Sequence, residues 1–518
     1  MTWIQWFVFF LIIQIVHFAG TWKLYTKAGR KAWEAAVPIY NAVVLMKIIN
    51  RPWWWTILLF VPIVNLIMFP VIWVETLRSF GRNSTTDTVL VLLTFGLYLF
   101  YINYTQDVSY IQNRSLKPRT SAGEWVSSIL FAVVAATIVH TYFMQPYTIP
   151  TSSLEKTLLV GDFLFVSKFH YGARTPMTPV SFPMVHDTIP VVHTKSYLTK
   201  PQIPYFRFPG FQNIKRNDIV VFNWPVDTVN AFQQYGDGKY YYKPIDKKSN
   251  YVKRCVGIPG DSLEVRDGYV YINGKRNDLP DRARLQFAYI VKTNGQLSPE
   301  MLYNRYNITD NYSYQNGVYL FPGVSEESLE MLKNNPNVVE ITRFKGEAGD
   351  WDKSIFPYDQ RYPWNNDNMG PVYIPQKGVT VSITPESLPF YKRIIEVYEG
   401  TELGIENSIS QNGTEILLNG RPLTEYTFKM DYYWMMGDNR NNSEDARTWG
   451  FVPFNHVVGK PVFIWMSWDG MNKKVRWDRL FTTVGGGGKP TSYFMYFVIA
   501  VLLWFGYDTF RKRKRVKK

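Results

Sequence analysis

The chain of 518 residues holds a single cysteine, Cys255, so no disulfide can form within it and packing must hold the fold. Histidine is nearly as scarce. His17, His140, His170, His186, His193 and His456 stand in no HExxH or comparable ligand spacing, so neither a metal nor another cofactor is expected. Long internal repeats are lacking. Acidic residues are outnumbered, 42 against 57 Lys and Arg, for a net charge of +15. The basic residues gather beside apolar segments and form no single stripe, which points to membrane orientation and away from nucleic acid. A cleavable leader is missing too. Residues 3–19 are apolar apart from Gln5, Gln14 and His17, with no basic n-region and no convincing cleavage site, so they read as an uncleaved helix.

What the chain does have is apolar length. Spans are expected over about 3–19, 53–74, 88–104, 125–144 and 493–510, each near the ~20 residues that cross a ~30 Å hydrocarbon layer. Trp53, Trp54 and Trp55 make an aromatic belt for the second, and Pro62 and Pro70 are kink sites within it. Lys23, Lys27, Arg30, Lys31, Lys47 and Arg51 fill the first loop, and Arg114, Lys117 and Arg119 the link before the fourth span. Arg511 to Lys518 form a strongly basic tail. The positive-inside rule puts these segments in the cytoplasm and residues 145–490 outside, although Arg78 and Arg82 then lie in an outer loop. The expected location is the cytoplasmic (inner) membrane, multi-pass.

The exported part reads as mainly β. Runs at 162–168, 218–222, 251–256, 263–265, 269–272 and 457–465 are β-branched or aromatic and bounded by Gly, Pro, Asn and Asp, and Asn273-Gly274 is a hairpin turn. Residues 276–430 differ in texture, rich in Tyr and Asn, with one short helix expected at 326–334. The expected division is 1–124 as an N-terminal membrane region, 125–144 as the fourth span, and 145–275 with 431–484 as one β domain. Residues 276–430 are an inserted β-rich domain, and 485–518 comprise a flexible lead through Gly485–Gly488, the fifth span and the tail.

Three stretches carry chemistry. Tyr147–Asp162 follows the fourth span directly and presents Thr151, Ser152 and Ser153 after Pro150. Tyr251–Asp261 sets Lys253 in an alternating, strand-like run that ends in a Pro-Gly turn, and Gly437–Arg447 packs polar groups around Ser443. A lysine can serve as a base only if its pKa falls. Near its ordinary 10.4 about one in a thousand is neutral at pH 7.4, and burial lowers the value by up to ~3–5. Each stretch also has a bland reading: a polar turn, a solvated strand lysine, a hydrogen-bonded loop. A Ser-His-Asp triad finds no partner motif around His170, and Cys255 finds no histidine, so both are set aside.

Together with Lys215–Phe222, these blocks resemble, in the right order, the type I signal peptidases, membrane-bound serine proteases with a Ser-Lys dyad. The resemblance implies a signal-peptidase-like β fold in which the insertion is the variable cap. It implies Ser153 as nucleophile, Lys253 as general base, and Thr151 with the Ser153 backbone N–H as oxyanion hole. Ser443 would position the amine, with Asp445 and Arg447 as a supporting ion pair and Asp438 and Arg440 holding the loop. Ile149, Pro150, Leu154, Leu158, Leu164, Tyr251 and Val252 match positions lining pockets for small side chains at −1 and −3, and each is equally open to a reading as plain core. Signal peptides of exported preproteins, membrane lipid and the secretion machinery are the implied partners. The sequence departs from the pattern at Ser152, where a small residue such as glycine is usual, at Leu154 for methionine, and at Lys156 for proline; the last is expected to loosen a turn. Arg254 and Cys255 are read as non-catalytic, since alternation gives the active face to Lys253. A tethered β binding module and a Ser-Lys protease with another substrate, or for self-cleavage, are the alternatives.

Overall fold

The structure, a computed structural model, describes residues 1–118, 120–230 and 239–516, with side chains described as far as Lys512. Arg119 of the basic link and Lys517 and Lys518 of the tail lie outside the described residues. The chain forms two compact units, Met1–Phe143 with Arg174–Arg207, and Met144–Ala173 with Phe208–Lys518. The stretch Arg174–Arg207, expected within the β domain, therefore groups with the N-terminal helices.

The first unit opens on α1 (Trp3–Lys27), started by a capping box in which Thr2 Oγ1 accepts from the Gln5 N–H and the Gln5 side chain accepts from Thr2 N–H. Among the described residues three helices of the chain are long and apolar enough to cross a bilayer: Trp3–Lys27, Ser121–Phe143 and, in the second unit, Phe494–Lys512. The spans expected at 53–74 and 88–104 are not continuous helices. The first breaks into Trp55–Leu58 and Val64–Ser79 around Pro62 and Ile63, the latter at φ 70°. The second breaks into Thr85–Leu93 and Tyr98–Thr105 at Phe95 and Gly96, both left-handed. A left-handed residue ends a helix however apolar its neighbours. These short helices pack on α1 around Leu24, Tyr25, Val44, Ile72, Val91 and Ile102. Beside this core the buried carboxylate of Glu75 accepts from Arg51 at 3.0 Å and from Arg114.

The second unit is mostly β. Among the described residues its largest sheet has nine strands, all paired antiparallel. β1 (Met144–Thr148) pairs β2 (Asp162–Ser167), and next comes the long strand Val457–Asp469. β3 (Ile219–Asn223), β4 (Asn250–Gly257), Tyr432–Met436 and Val452–Pro453 follow. β4 is sandwiched. Ile219, Val221, Leu158, Leu164 and Val166 fill one side, and Val220, Phe222, Cys255, Met435 and Val457 the other. Burial on both faces explains why β3 reads as an unbroken apolar run.

The insertion has a core of its own around Val291, Leu302, Tyr319, Phe321 and Leu332, but its edges are shared with the neighbouring β domain. Strand Ser262–Arg266 pairs both Tyr269–Ile272 and Met369–Tyr373, so the division expected at 275/276 runs through one sheet. Leu263, Val265 and Ile272 share a core with Phe356, Ile394, Phe428, Tyr432 and Trp434. A second sheet, centred on Gln286–Thr293 and Val318–Ser325, carries the helix Glu326–Lys333, where the sequence places one.

Candidate active site

The β1–β2 hairpin opens into a long loop. Ile149 N–H donates to Asp162 O and Gly161 N–H to Ile149 O, closing residues 150–160 into a compact excursion. Its helical turn, with Leu158 N–H on Leu154 O at 2.8 Å, buries Leu154 and Leu158 in the core below. Of the three hydroxyl residues, Thr151 is exposed, Ser152 is half-buried with its Oγ accepting from Asn442 Nδ2 at 3.0 Å, and Ser153 is buried.

Lys253 sits in the middle of β4. Val220 lies opposite Lys253 and Phe222 opposite Tyr251, and paired side chains share a face, so Tyr251, Lys253 and Cys255 point the same way. Arg254 points the other way, as alternation requires. The amine stands 5.7 Å from the Tyr251 ring centroid, and that ring packs on Trp224 and Trp449. Burial in these surroundings lowers the Lys253 pKa to about 8, against the opposing pull of Asp445 and Glu444.

The third stretch joins the other two. Met436 lies opposite Arg254, so the chain leaves its strand at Gly437 beside Lys253. Gly437 is wedged: a Cβ there would stand 2.6 Å from Ser153 O and 2.2 Å from Ser443 Oγ. The Ser153 carbonyl and the Ser443 hydroxyl thus crowd one glycine, which the strand register sets next to Lys253. Ser443 Oγ is buried with no hydrogen-bond partner among the described residues. Asp445 takes the Arg447 guanidinium in a two-point ion pair at 2.8 and 2.7 Å and accepts Gly437 N–H at 3.0 Å. Burial works to raise the Asp445 carboxyl, and Arg447 overrides it and holds the group below its ordinary value. Arg447 also donates to Arg440 O, and Arg440 to the carbonyls of Gly268 and Gly437.

Asp438 pairs with Arg254, at 2.8 and 2.6 Å, in an ion pair buried on both sides, and it also accepts from Thr157 Oγ1 at 2.8 Å. Sequence reasoning gave Arg254 only an unspecified structural role, because its partner lies 184 residues away. It also missed Gln286, which exchanges backbone hydrogen bonds with Asp438 O and Arg440 N–H and donates its side chain to Glu155 O at 2.8 Å. Asn439 N–H donates to Ser153 O at 3.1 Å.

Lys156 does not loosen its turn. Its φ of 69° is one proline cannot adopt, and its amine donates to Asn307 O, Asn307 Oδ1 and Thr309 Oγ1 at 2.6–3.1 Å. Cys255 shares the Lys253 face, contrary to the alternation argument, yet burial pushes its thiol pKa well up and its Sγ donates to Gly257 O. A raised pKa removes the thiolate that nucleophilic attack needs. Ile149, Leu154, Leu158 and Leu164 form one core cluster with Val252 packed against it, while Pro150 is exposed and Tyr251 half-buried.

Residues 122–337 and 374–468 match the signal peptidase family, peptidase S26, and residues 33–113 match a family of unknown function, DUF5684. Curated relatives called signal peptidase I include that of Buchnera aphidicola, 26% identical over 65% of this chain and 72% of the relative. Those of Helicobacter pylori, 26% identical over 70% and 91%, and of Rickettsia canadensis, 26% identical over 50% and 88%, cover more of their own length. A β unit with apolar helices, and a buried serine and a buried lysine whose segments come together at Gly437, go with these matches: the protein is a membrane-associated serine endopeptidase. Its chain belongs to the signal peptidase family, peptidase S26.

Proposed function

We propose that Ser153 is the nucleophile and Lys253 the general base of a type I signal peptidase reaction. The neutral amine takes the Ser153 Oγ proton as the oxygen attacks the scissile carbonyl. The oxyanion is held by the Ser153 N–H and the Thr151 hydroxyl, a class of donor worth roughly 2.7–4 kcal/mol. The Lys253 ammonium then returns its proton to the leaving amine, and water hydrolyses the acyl-enzyme by the same route in reverse. Ser443 orients the amine, and Asp445 with Arg447 fixes the loop that carries it. The observation that carries this assignment is the buried Lys253, lowered to about 8, in the register that leads to Gly437, against which the backbone of the buried Ser153 packs.

Substrates on this reading are preproteins cut after small residues at −1 and −3, admitted beside Ile149, Pro150, Leu154, Tyr251 and Val252, with Leu158 and Leu164 backing the walls. Membrane lipid and the secretion machinery are further partners. Residues 1–143 serve as the membrane region, and the proteolytic unit faces the outer side of a cytoplasmic membrane that the chain crosses more than once. Counting three spans instead of five leaves that side unchanged, because two spans are removed together. It also returns Arg78 and Arg82 to the cytoplasm with the other basic residues.

The test is cleavage of a preprotein by the full-length protein in detergent. Ser153→Ala should lose activity by about 10³-fold or more while staying folded and membrane-bound. Substantial processing by that variant would move the nucleophile to Ser152 or Thr151.

A further inference from the structure

Beside the Ser153 loop, and apart from the meeting point at Gly437, the second unit holds a cavity of about 380 Å³. Its walls include Lys156 and Thr157, the segment Asp281–Arg284, Arg479, and the chain from Thr483 to Pro490 that leads into the last helix. Five cationic side chains and one carboxylate line it. Two of the cations are neutralised or occupied: Arg479 pairs with Asp162 at 2.5 Å, and Lys156 is held by Asn307 and Thr309. The other three stand in no ion pair among the described residues.

Arg282 spends its N–H groups on neutral carbonyls, those of Thr483, Gly485, Gly487, Gly488 and Lys489, at 2.7–3.4 Å. Its charge is therefore fixed in place and uncompensated. Arg284 uses only Nη1, on Asp281 O and Ala283 O, so its Nε and Nη2 are without partners among the described residues, as is the Lys489 ammonium. Asp281 faces the same space, but its Oδ2 is taken by Gly488 N–H at 3.1 Å. Three cations outside any ion pair against one carboxylate leave a net positive charge in a concave and partly enclosed space, which favours an anion. Planar guanidinium donors suit phosphate oxygens in particular.

The place of the cavity narrows the source. Lys489 is five residues before Phe494, where a helix apolar enough to span a bilayer begins. Five residues reach at most about 17 Å, and the headgroup layer is roughly 5–8 Å thick on each side. The rim of the cavity is thus within reach of lipid headgroups whenever that helix is in the membrane.

We propose that this cavity binds the phosphate of a phospholipid headgroup, seated between Arg282, Arg284 and Lys489. It would tie the glycine-rich lead of the last helix to the loop that carries Ser153. The proposal does not rest on the dyad assignment, since neither exposed cation belongs to the peptidase site.

The full-length protein in a non-ionic detergent supplies the test. Its thermal midpoint would be followed on adding phosphatidylglycerol in mixed micelles, phosphatidylcholine likewise, or inorganic phosphate with ionic strength matched by chloride. The wild type should gain about 4 °C or more with phosphatidylglycerol, and Arg284→Glu/Lys489→Glu should lose that gain while cleaving a preprotein at the wild-type rate. A gain with inorganic phosphate equal to that with lipid, absent in the variant, would keep the anion site and assign it to free phosphate. An equal gain in wild type and variant, or none with any of the three, would overturn the proposal.

Discussion

At the scale of residues the site is a contest between burial and charge. Lys253 is buried among Tyr251, Val220 and Cys255, and its amine resists protonation. Peptide cleavage should therefore rise with pH through a midpoint near 8, where the neutral amine becomes the major form, and level off above it; the pH dependence of kcat/KM for a preprotein checks this. The sign for stability follows from the same pKa. Between about 8 and the ordinary lysine value the unfolded chain holds a proton that the folded one has released, so stability rises with pH across that window. Lys253→Met, which removes the titration, should abolish cleavage and flatten that rise in denaturation experiments at pH 8 and pH 10. Asp438 and Arg254 behave differently, because each is buried and each satisfies the other. Asp438→Asn leaves the guanidinium buried against a neutral amide and should cost about 3–5 kcal/mol of unfolding free energy, read by denaturant titration.

At the scale of elements, Gly437 sets the spacing between two strands' worth of functional groups. A Cβ added there would run into the Ser153 carbonyl and the buried Ser443 hydroxyl, and a backbone carbonyl cannot swing aside as a side chain tip can. Gly437→Ala should therefore push Ser153 and Ser443 apart and cut kcat by at least about 10²-fold, with a smaller change in KM, measured by steady-state cleavage. The elements also show what was legible in the sequence. β2 to β4, the Gly437–Arg447 loop and the helix at 326–333 were readable because each is local: an alternation, a turn pair, a cap. The pairing of Val457–Asp469 between β2 and β3 was not, since nothing local records a partner some 300 residues away. The same holds for Gln286, whose neighbours Leu285 and Phe287 give no hint that it grips the loop at 438–440. The two broken spans misled for the opposite reason. Hydropathy counts apolar side chains, and Ile63 and Phe95 are apolar while their backbones are left-handed.

At the scale of the whole molecule, two long apolar helices flank the β unit in sequence, Ser121–Phe143 before it and Phe494–Lys512 after it. Either alone has the length and composition of an anchor. Deleting residues 485–518 should thus leave the protein in the membrane pellet after an alkaline carbonate wash, followed by immunoblot of the fractions.

The order of strands has a bearing on timing. β2, which closes the loop carrying Ser153, lies beside a strand that ends at Asp469, and Ser443 arrives only shortly before it. During synthesis Ser153 and Lys253, the proposed nucleophile and base, are both made long before the Gly437 and Ser443 that pack beside them. A ribosome must therefore have added some nine-tenths of the chain before the protease can exist. On the proposed reading, the nascent polypeptide should therefore cut neither its neighbours nor itself for as long as it is incomplete.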